Sequence, residues 1–332
     1  MTELPPFNIA HHPLPGAART AFVIYNPTAG SGLRKKRVEM MELVARFHAN
    51  GMSVSTVQTR CAGDGTAAAA EALAQGADVV VAMGGDGTVN EVVQTMAGGE
   101  VPLGIIPVGT INVLASELSL PADPLEAVDM LSAGHLRRID LGKANGRYFT
   151  MMVGLGYDAE ATMKLIPSLK QWTGPVAYWV AGVSTFMQYK SVRARIAVSD
   201  GRKTRRLRRL IFMMVVSNTG LYAGGVLKFT PESSISDGWL DVCMVRSKRW
   251  YTAIYHFSLS LIGKLRSGQD AEFMRVKSLT MRTSRPFPYQ LDGDPAGTTP
   301  ITIEVVPAGL SVFAGPPPEG EEIVKPLAPE NG

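Results

Sequence analysis

The sequence predicts two domains, an N-terminal α/β domain with a parallel sheet and then an antiparallel β-sandwich domain. Three observations carry this. At 332 residues, and roughly 150 residues per domain, the chain has room for two. The first 140 residues alternate short, nearly all-apolar strands with helical segments, the pattern of a parallel sheet covered by helices. From there on, short strand-like stretches bounded by Gly, Asp, Pro and Ser dominate, as in an antiparallel sandwich.

The first domain is drawn over residues 18–140. Residues 21–26 (AFVIYN) form an apolar strand stopped by Asn26-Pro27, and 33–50 read as a helix ending near Gly51. A strand over 52–59, an Ala-rich helix over 66–75, a buried strand over 78–83, a helix over 88–97 and a strand over 103–106 follow. Parallel sheets of this kind place ligands at the carboxyl ends of their strands, so chemistry is expected just after residues 26, 83 and 106. The second domain, 141–313, carries strands over 147–153, 192–199, 209–217, 239–245, 275–283 and 301–306, interrupted by a helix over about 172–190. On that helix Trp172, Trp179 and Phe186 recur every seven residues and share one face. A Pro- and Glu-rich segment, 314–332, reads as an extended or disordered tail, and its return to the first domain is left open.

Hydrophobic residues at 45% and charged residues at 19% exclude a wholly disordered chain. Cys61 and Cys243 lie too far apart in sequence for a disulfide framework or a CxxC metal knot, so a reducing compartment is the default. No secretory signal and no hydrocarbon-compatible span are expected. The formal net charge of +4 is an average of unlike parts: residues 1–140 carry −5, residues 141–300 carry +13 and residues 301–332 carry −4. The run RKTRRLRR, Arg202 to Arg209, supplies six of the positive charges, at a predicted hairpin. Such asymmetry points to an anionic partner.

Three glycine-rich elements fall at the predicted strand ends: NPTAGSG from Asn26 to Gly32, GGDGTVNE from Gly84 to Glu91, and PVGTIN from Pro107 to Asn112. Glycine lets a backbone approach a phosphate closely, and amides at a helix start point donors at anions. Within GGDGT, the Asp86 carboxylate can reach a nucleotide-bound Mg²⁺ or organise the loop. Neither GxxxxGK[ST] nor a strand-linked GxGxxG is present.

These three motifs, in this order, resemble the diacylglycerol kinase catalytic-domain superfamily, which includes bacterial soluble lipid kinases related to sphingosine and ceramide kinases. The likeness continues through VGLGYDAEA (Val153 to Ala161), SNTGLYAGGV (Ser217 to Val226), ISDGWLDV (Ile235 to Val242) and LDGD (Leu291 to Asp294), and spans roughly residues 20–313. It implies ATP bound between the two domains and transfer of its phosphoryl group to a lipid hydroxyl. By motif, it assigns Asn26, Thr59, Gly84, Gly85, Asp86, Gly87, Thr88, Asn90 and Thr110 to the nucleotide. It assigns Asp237, with the carbonyls of Ser234 and Trp239, to Mg²⁺, and Asp294 to the general base. Two positions depart from the family pattern: Asp294 stands where Glu is usual, and Val113 where many members have Asp.

The resulting expectation is an ATP- and Mg²⁺-dependent lipid kinase acting on a diacylglycerol-, ceramide- or sphingoid-type hydroxyl. It would be cytoplasmic and attached peripherally to an anionic inner membrane face through its basic run. No nucleic-acid partner is expected, and homodimerisation stays open. Two alternatives remain: a kinase acting on NAD or a sugar phosphate through the same GGDG loop, and a homologue that binds lipid or nucleotide without turnover.

Overall fold

The computed structural model describes residues 19–29, 40–133, 135–157, 159–160, 189–219, 221–222, 227–228, 234–246 and 271–315. The chain forms two compact units, one running to Ile139 and resuming at Ala308, the other Asp140–Pro307.

In the first unit the elements are β1 (Arg19–Tyr25), α1 (Met40–Ala49), β2 (Met52–Gln58), α2 (Asp64–Ala74), β3 (Val79–Gly84), α3 (Asp86–Met96), β4 (Leu103–Pro107), α4 (Val113–Glu117) and α5 (Pro124–Ala133). The strands pair in the order β2-β1-β3-β4, all parallel. Alternate side chains face opposite sides of a strand. Ala21, Val23, Val79 and Val81 therefore share a buried cluster with Leu43 and Phe47 of α1 and with Ala127, Val128 and Leu131 of α5. Full burial of a side chain such as Phe47 contributes about 1.5–3 kcal/mol. Helices α2 and α3 are tied by polar contacts: Gly65 N–H donates to Glu91 Oε2 (2.9 Å), and Thr66 Oγ1 to the Glu91 carbonyl (2.8 Å). Glu91, read as the end of a glycine motif, thus satisfies an amide in the first turn of α2, where no intrahelical acceptor exists.

Sequence reading anticipated neither α4 nor α5. At five residues α4 is too short to show a period. Helix α5 does carry a start signal, since Asp123 accepts from Leu125 N–H at 2.9 Å and Pro124 takes the first helical position.

Strand β5 (Leu136–Ala144) leads into the second unit, which contains β6 (Arg147–Phe149), β7 (Met152–Gly156), β8 (Val192–Ser199), β9 (Thr204–Ile211), β10 (Met213–Ser217), β11 (Leu221–Tyr222), β12 (Leu227–Lys228), β13 (Leu240–Val245), β14 (Ala271–Val276), β15 (Ser278–Thr283), β16 (Pro288–Leu291), β17 (Asp294–Thr298) and the start of β18 (Ile301–Phe313). One antiparallel sheet runs β9-β8-β15-β18, and the other runs β14-β13-β10-β7-β16-β17. Leu155, Met214, Val216, Val242 and Met244 from the second share one core with Val192, Ile196, Leu279 and Met281 from the first, which makes the unit a sandwich. Beyond Ala308, β18 belongs to the first unit, where Val312 pairs in parallel with Leu103.

The structure corrects several local expectations, the strand over 147–153 being β6 and β7 among them. The run 209–217 is two strands parted at Phe212, whose N–H bonds the Val245 carbonyl (2.9 Å). The run 275–283 likewise breaks at Lys277, whose N–H bonds Ser199 O (2.7 Å). Most of RKTRRLRR is strand β9 rather than a turn. The turn precedes it, held by Asp200 Oδ1, which accepts from Arg202 N–H (2.7 Å) and Lys203 N–H (2.6 Å). The helix over 172–190 (all but Tyr189 and Lys190), residues Gly30 to Gly32 of the first glycine motif and the tail beyond Gly315 lie outside the described residues. Among the described residues, no helix is long and apolar enough to cross a membrane.

Candidate active site

All four parallel strands of the first unit end within one residue of the predicted positions. Asn26 follows β1 and is bound to the end of β3 through its N–H on the Met83 carbonyl (3.0 Å). Its Oδ1 accepts from Thr28 N–H (2.9 Å) and Thr28 Oγ1 (2.8 Å), a closed Asx turn. Thr59 follows β2, and both its N–H (2.9 Å) and Oγ1 (3.3 Å) donate to the Tyr25 carbonyl. Just beyond, Asp64 accepts from the Arg60 (2.7 Å) and Cys61 (3.0 Å) amides, which hold its carboxyl below the usual aspartate range.

The loops after β3 and β4 meet backbone to backbone. Val108 N–H (3.1 Å) and Gly109 N–H (3.2 Å) both donate to the Gly84 carbonyl. A Cβ on Gly109 would lie 2.4 Å from Gly85 Cα and 2.5 Å from Asn112 Oδ1, and one on Gly84 would lie 2.4 Å from Thr88 Oγ1. Only glycine permits this approach. Gly85 caps α3 without any side-chain bond, so the first-turn amides of Asp86, Gly87 and Thr88 have no side-chain cap. Asn112 sits at φ +54°, donates Nδ2 to the Gly109 carbonyl (2.9 Å), and keeps a buried Oδ1 with no partner among the described residues. A glycine cradle of this kind, with a buried carbonyl oxygen lacking a donor, fits a polar ligand such as a nucleotide. Thr110 and Ile111 stand exposed beside it. Asn90 is the outlier of the set: it is one turn down α3, 2% exposed, and bonded by Gln94 Nε2 (3.1 Å to O, 3.2 Å to Oδ1). Val113, where a carboxylate is usual, is buried in α4.

In the second unit, β16 and β17 are joined by a two-residue turn, Asp292 at φ +50° and Gly293 at φ +93°, the paired left-handed conformation that Asp-Gly favours in hairpins. Asp294 opens β17, with its side chain 58% exposed and 3.5 Å from Arg147. Asp292 is the more embedded carboxylate. It accepts from Thr150 N–H (2.7 Å), Thr150 Oγ1 (3.0 Å), Met151 N–H (2.9 Å) and Met152 N–H (2.9 Å). Burial raises its carboxyl above the ordinary range, and these donors offset only part of that rise. The SNTG and ISDG motifs meet in a second buried network. Asn218 Nδ2 donates to the Asp140 and Thr150 carbonyls (both 2.9 Å), and Asp140 Oδ2 accepts from Gly238 N–H (2.6 Å). The sequence marks these motifs but does not show that Asp292 holds the hairpin against the start of β7 or that Asp140 and Asn218 tie the two motifs together.

The expected Mg²⁺ position is built differently from a bare oxygen site. Asp237 accepts from Trp239 N–H (3.0 Å) and is bonded by Arg275, which also lies 3.4 Å from Asp241. Burial raises the Asp237 carboxyl, and the Arg275 guanidinium lowers it. Arg275 and Lys277 both stand over the Trp239 ring, and Ser234 Oγ lies 3.3 Å from Ser236 Oγ. Oxygen donors are of the right type for Mg²⁺. Here, however, a guanidinium already occupies the carboxylate, so a divalent ion would have to displace it. Among the described residues, no group of three or more His, Cys, Asp or Glu is placed to hold a metal.

An α/β unit with a glycine cradle at its strand ends, joined to a β-sandwich, defines a class of nucleotide-using kinases. Residues 20–144 match the model of the diacylglycerol kinase catalytic domain, and residues 151–314 match that of the YegS C-terminal NAD kinase beta sandwich-like domain. Diacylglycerol kinases of Bacillus subtilis and Staphylococcus saprophyticus are 33% and 30% identical to the chain, over 85% and 92% of its length and 92% and 99% of theirs. A solved diacylglycerol kinase structure from Bacillus anthracis shares the fold, with a TM-score of 0.68 at 24% identity over 90% of this chain and 97% of its own. A second solved chain from that organism gives 0.71 at 26% identity over 90% and 98%. The chain belongs to the diacylglycerol kinase family and is an enzyme of lipid-kinase type.

Proposed function

We propose that this enzyme transfers the γ-phosphoryl group of ATP, as its Mg²⁺ complex, to the free hydroxyl of a diacylglycerol. The observation that carries the reading is the Gly85–Gly109 approach beside the unpartnered Asn112 Oδ1, a cradle with no space for side chains and a polar lining. Relatives named diacylglycerol kinase support the acceptor class. Phosphoryl transfer asks little covalent chemistry of a protein; it needs positioning, compensation of charge, and a group that takes the hydroxyl proton. In this reading the amides of Gly84, Gly85, Gly87 and Thr88 hold phosphate oxygens, while Asn26, Thr59 and Thr110 flank the nucleotide. Asp86, at the start of α3, is the carboxylate that would hold the metal accompanying the triphosphate. Asp294 takes the proton from the lipid hydroxyl. Its exposure keeps the carboxylate accessible, and Arg147 stands 3.5 Å from it. The cell-side expectation that follows is a cytoplasmic enzyme meeting its lipid at a membrane surface.

The test is transfer of label from γ-labelled ATP to a panel of diacylglycerol, ceramide, sphingoid base and NAD. Label on diacylglycerol supports the reading, and label on a soluble acceptor alone overturns it. Asp294→Asn is expected to lower kcat about 10²–10⁴-fold with ATP affinity unchanged; an unaltered kcat removes Asp294 from the role of base.

A further inference from the structure

We infer that the outer face of strands β9, β8 and β15 is a docking surface for the anionic headgroups of a phospholipid membrane. Along β8, Val192, Ala194, Ile196 and Val198 are buried in the sandwich core, while Arg193 and Arg195 point outward and are exposed. The register places Arg195 opposite Arg208 on one side and Arg282 on the other. Three guanidinium-bearing residues thus form one row across three adjacent strands, each step about 4.8 Å. Arg206 and Arg193 sit two residues from that row on the same face. Among the described residues none of these five has an ion-pair partner. Between them lies an open depression of about 700 Å³ lined by Arg193, Arg195, Arg208, Arg209, Arg282 and Ser284.

Two features separate this face from an ordinary solvated one. Like charges directly opposite in a ladder are destabilising, and the protein neutralises arginine elsewhere on the same strand: Arg209 donates to Glu272 at 2.9 Å. The outward row is left without such a partner. Charged edge strands do discourage sheet-to-sheet aggregation, and β9 is an edge. That need does not extend to Arg195 and Arg282, which lie on interior strands. A guanidinium fork matches phosphate oxygens in geometry as well as charge. Among the described residues of these strands, the acid on this side is Glu304, which lies opposite Ser278, four residues along the ladder from Arg282.

The choice of lipid over nucleic acid rests on the lipid-kinase reading, and the face itself supports it. Single-stranded nucleic-acid platforms stack bases on aromatic rings, whereas the outward positions here are Arg193, Arg195, Arg206, Arg208, Arg282, Leu210 and small Ala, Ser and Thr residues, none of them aromatic. Each arginine near an anionic leaflet is expected to raise partitioning about fivefold.

The experiment is co-sedimentation of the full chain with vesicles of phosphatidylcholine, alone or with about a third phosphatidylglycerol. The comparison is Arg195→Thr/Arg208→Thr/Arg282→Thr, which keeps β-preferring residues in place. Expected is a roughly 100-fold loss of binding to the anionic vesicles, no change on phosphatidylcholine alone, and no fall in Tm. Turnover on detergent-dispersed diacylglycerol should be unchanged; absence of turnover in both proteins would strike the kinase reading and leave the vesicle result to judge this one. Undiminished anionic-vesicle binding by the triple variant overturns the inference, and so does tighter binding of the native chain to duplex DNA than to anionic vesicles.

Discussion

The carboxyl edge of β1–β4 and the outer face of β8, β9 and β15 both offer hydrogen-bond donors to anions, and they are made of opposite materials. The first is backbone: the start of α3 with no side-chain cap, and a Gly85–Gly109 approach that no Cβ permits. The second is side chain, a row of guanidiniums on flexible stems. A backbone cradle cannot re-aim, so it selects a shape and fails when crowded. A guanidinium surface adapts, tolerates single losses, and weakens with salt because its charges are exposed. The first therefore suits a defined small ligand and the second an extended anionic surface.

Crowding the cradle should give the largest effect. In Gly109→Ala the added carbon would fall 2.4 Å from Gly85 Cα, a clash with backbone that no rotamer relieves. ATP binding measured by calorimetry is expected to drop by two orders of magnitude or more, about 3 kcal/mol, with unit-two thermal unfolding unaffected. Retained ATP affinity would show that the two loops separate at low cost and that the site is not built by their contact. Next in size is Asp292→Ala, which leaves the amides of Thr150, Met151 and Met152 without their acceptor. Unpaired buried donors cost about 1–3 kcal/mol each, and solvent entering the half-buried hairpin recovers part of that. A net loss on the order of 3 kcal/mol by urea unfolding is expected. Asp292→Asn, with one oxygen still accepting, should lose less. Equal losses in the two variants would mean the amides are not what the carboxylate secures.

How far the sequence revealed these features follows the same division. A backbone-built site must spend glycines, and GGDGT and PVGT at strand ends announced the cradle before any coordinates. The parallel sheet was equally visible, in the apolar runs of β1, β3 and β4 and the alternation of β2. Asn112 was not singled out, because its left-handed φ and stranded Oδ1 arise only when Gly109 packs on Gly85. Asp292 was visible as an Asp-Gly turn but not as the acceptor for amides some 140 positions away. The arginine row was half legible: RKTRRLRR was conspicuous, yet it lacks the apolar alternation that marks a strand and was read as a turn. Arg195 and Arg282 join it only through register, a long-range property that local spacing does not encode. The Arg275–Asp237 contact was hidden for the same reason, being made across 38 positions.

The smallest effect tests why the inward side of the basic strand is neutralised and the outward side is not. Glu272 on β14 accepts from Arg209 at 2.9 Å and lies 3.6 Å from Arg246, with its side chain only 19% exposed. The Arg209 bond, followed by the charges of Arg209 and Arg246, holds its carboxyl below the usual glutamate range against a smaller burial effect. A lowered folded-state pKa means the unfolded chain binds more protons in that window, so the stabilisation is present above the ordinary glutamate value, about 4.3, and is lost as pH falls through the folded-state value. Glu272→Gln should therefore cost about 1 kcal/mol at neutral pH and converge with the native protein in acid. Arg209→Gln, combined with it, should add less than the sum of the two, because the pair is in direct contact. If Glu272→Gln and the native protein instead differ equally at every pH, Glu272 contributes by packing. The selective neutralisation that sets the outward arginines apart would then have to be carried by Arg246 and Arg209 in some other arrangement.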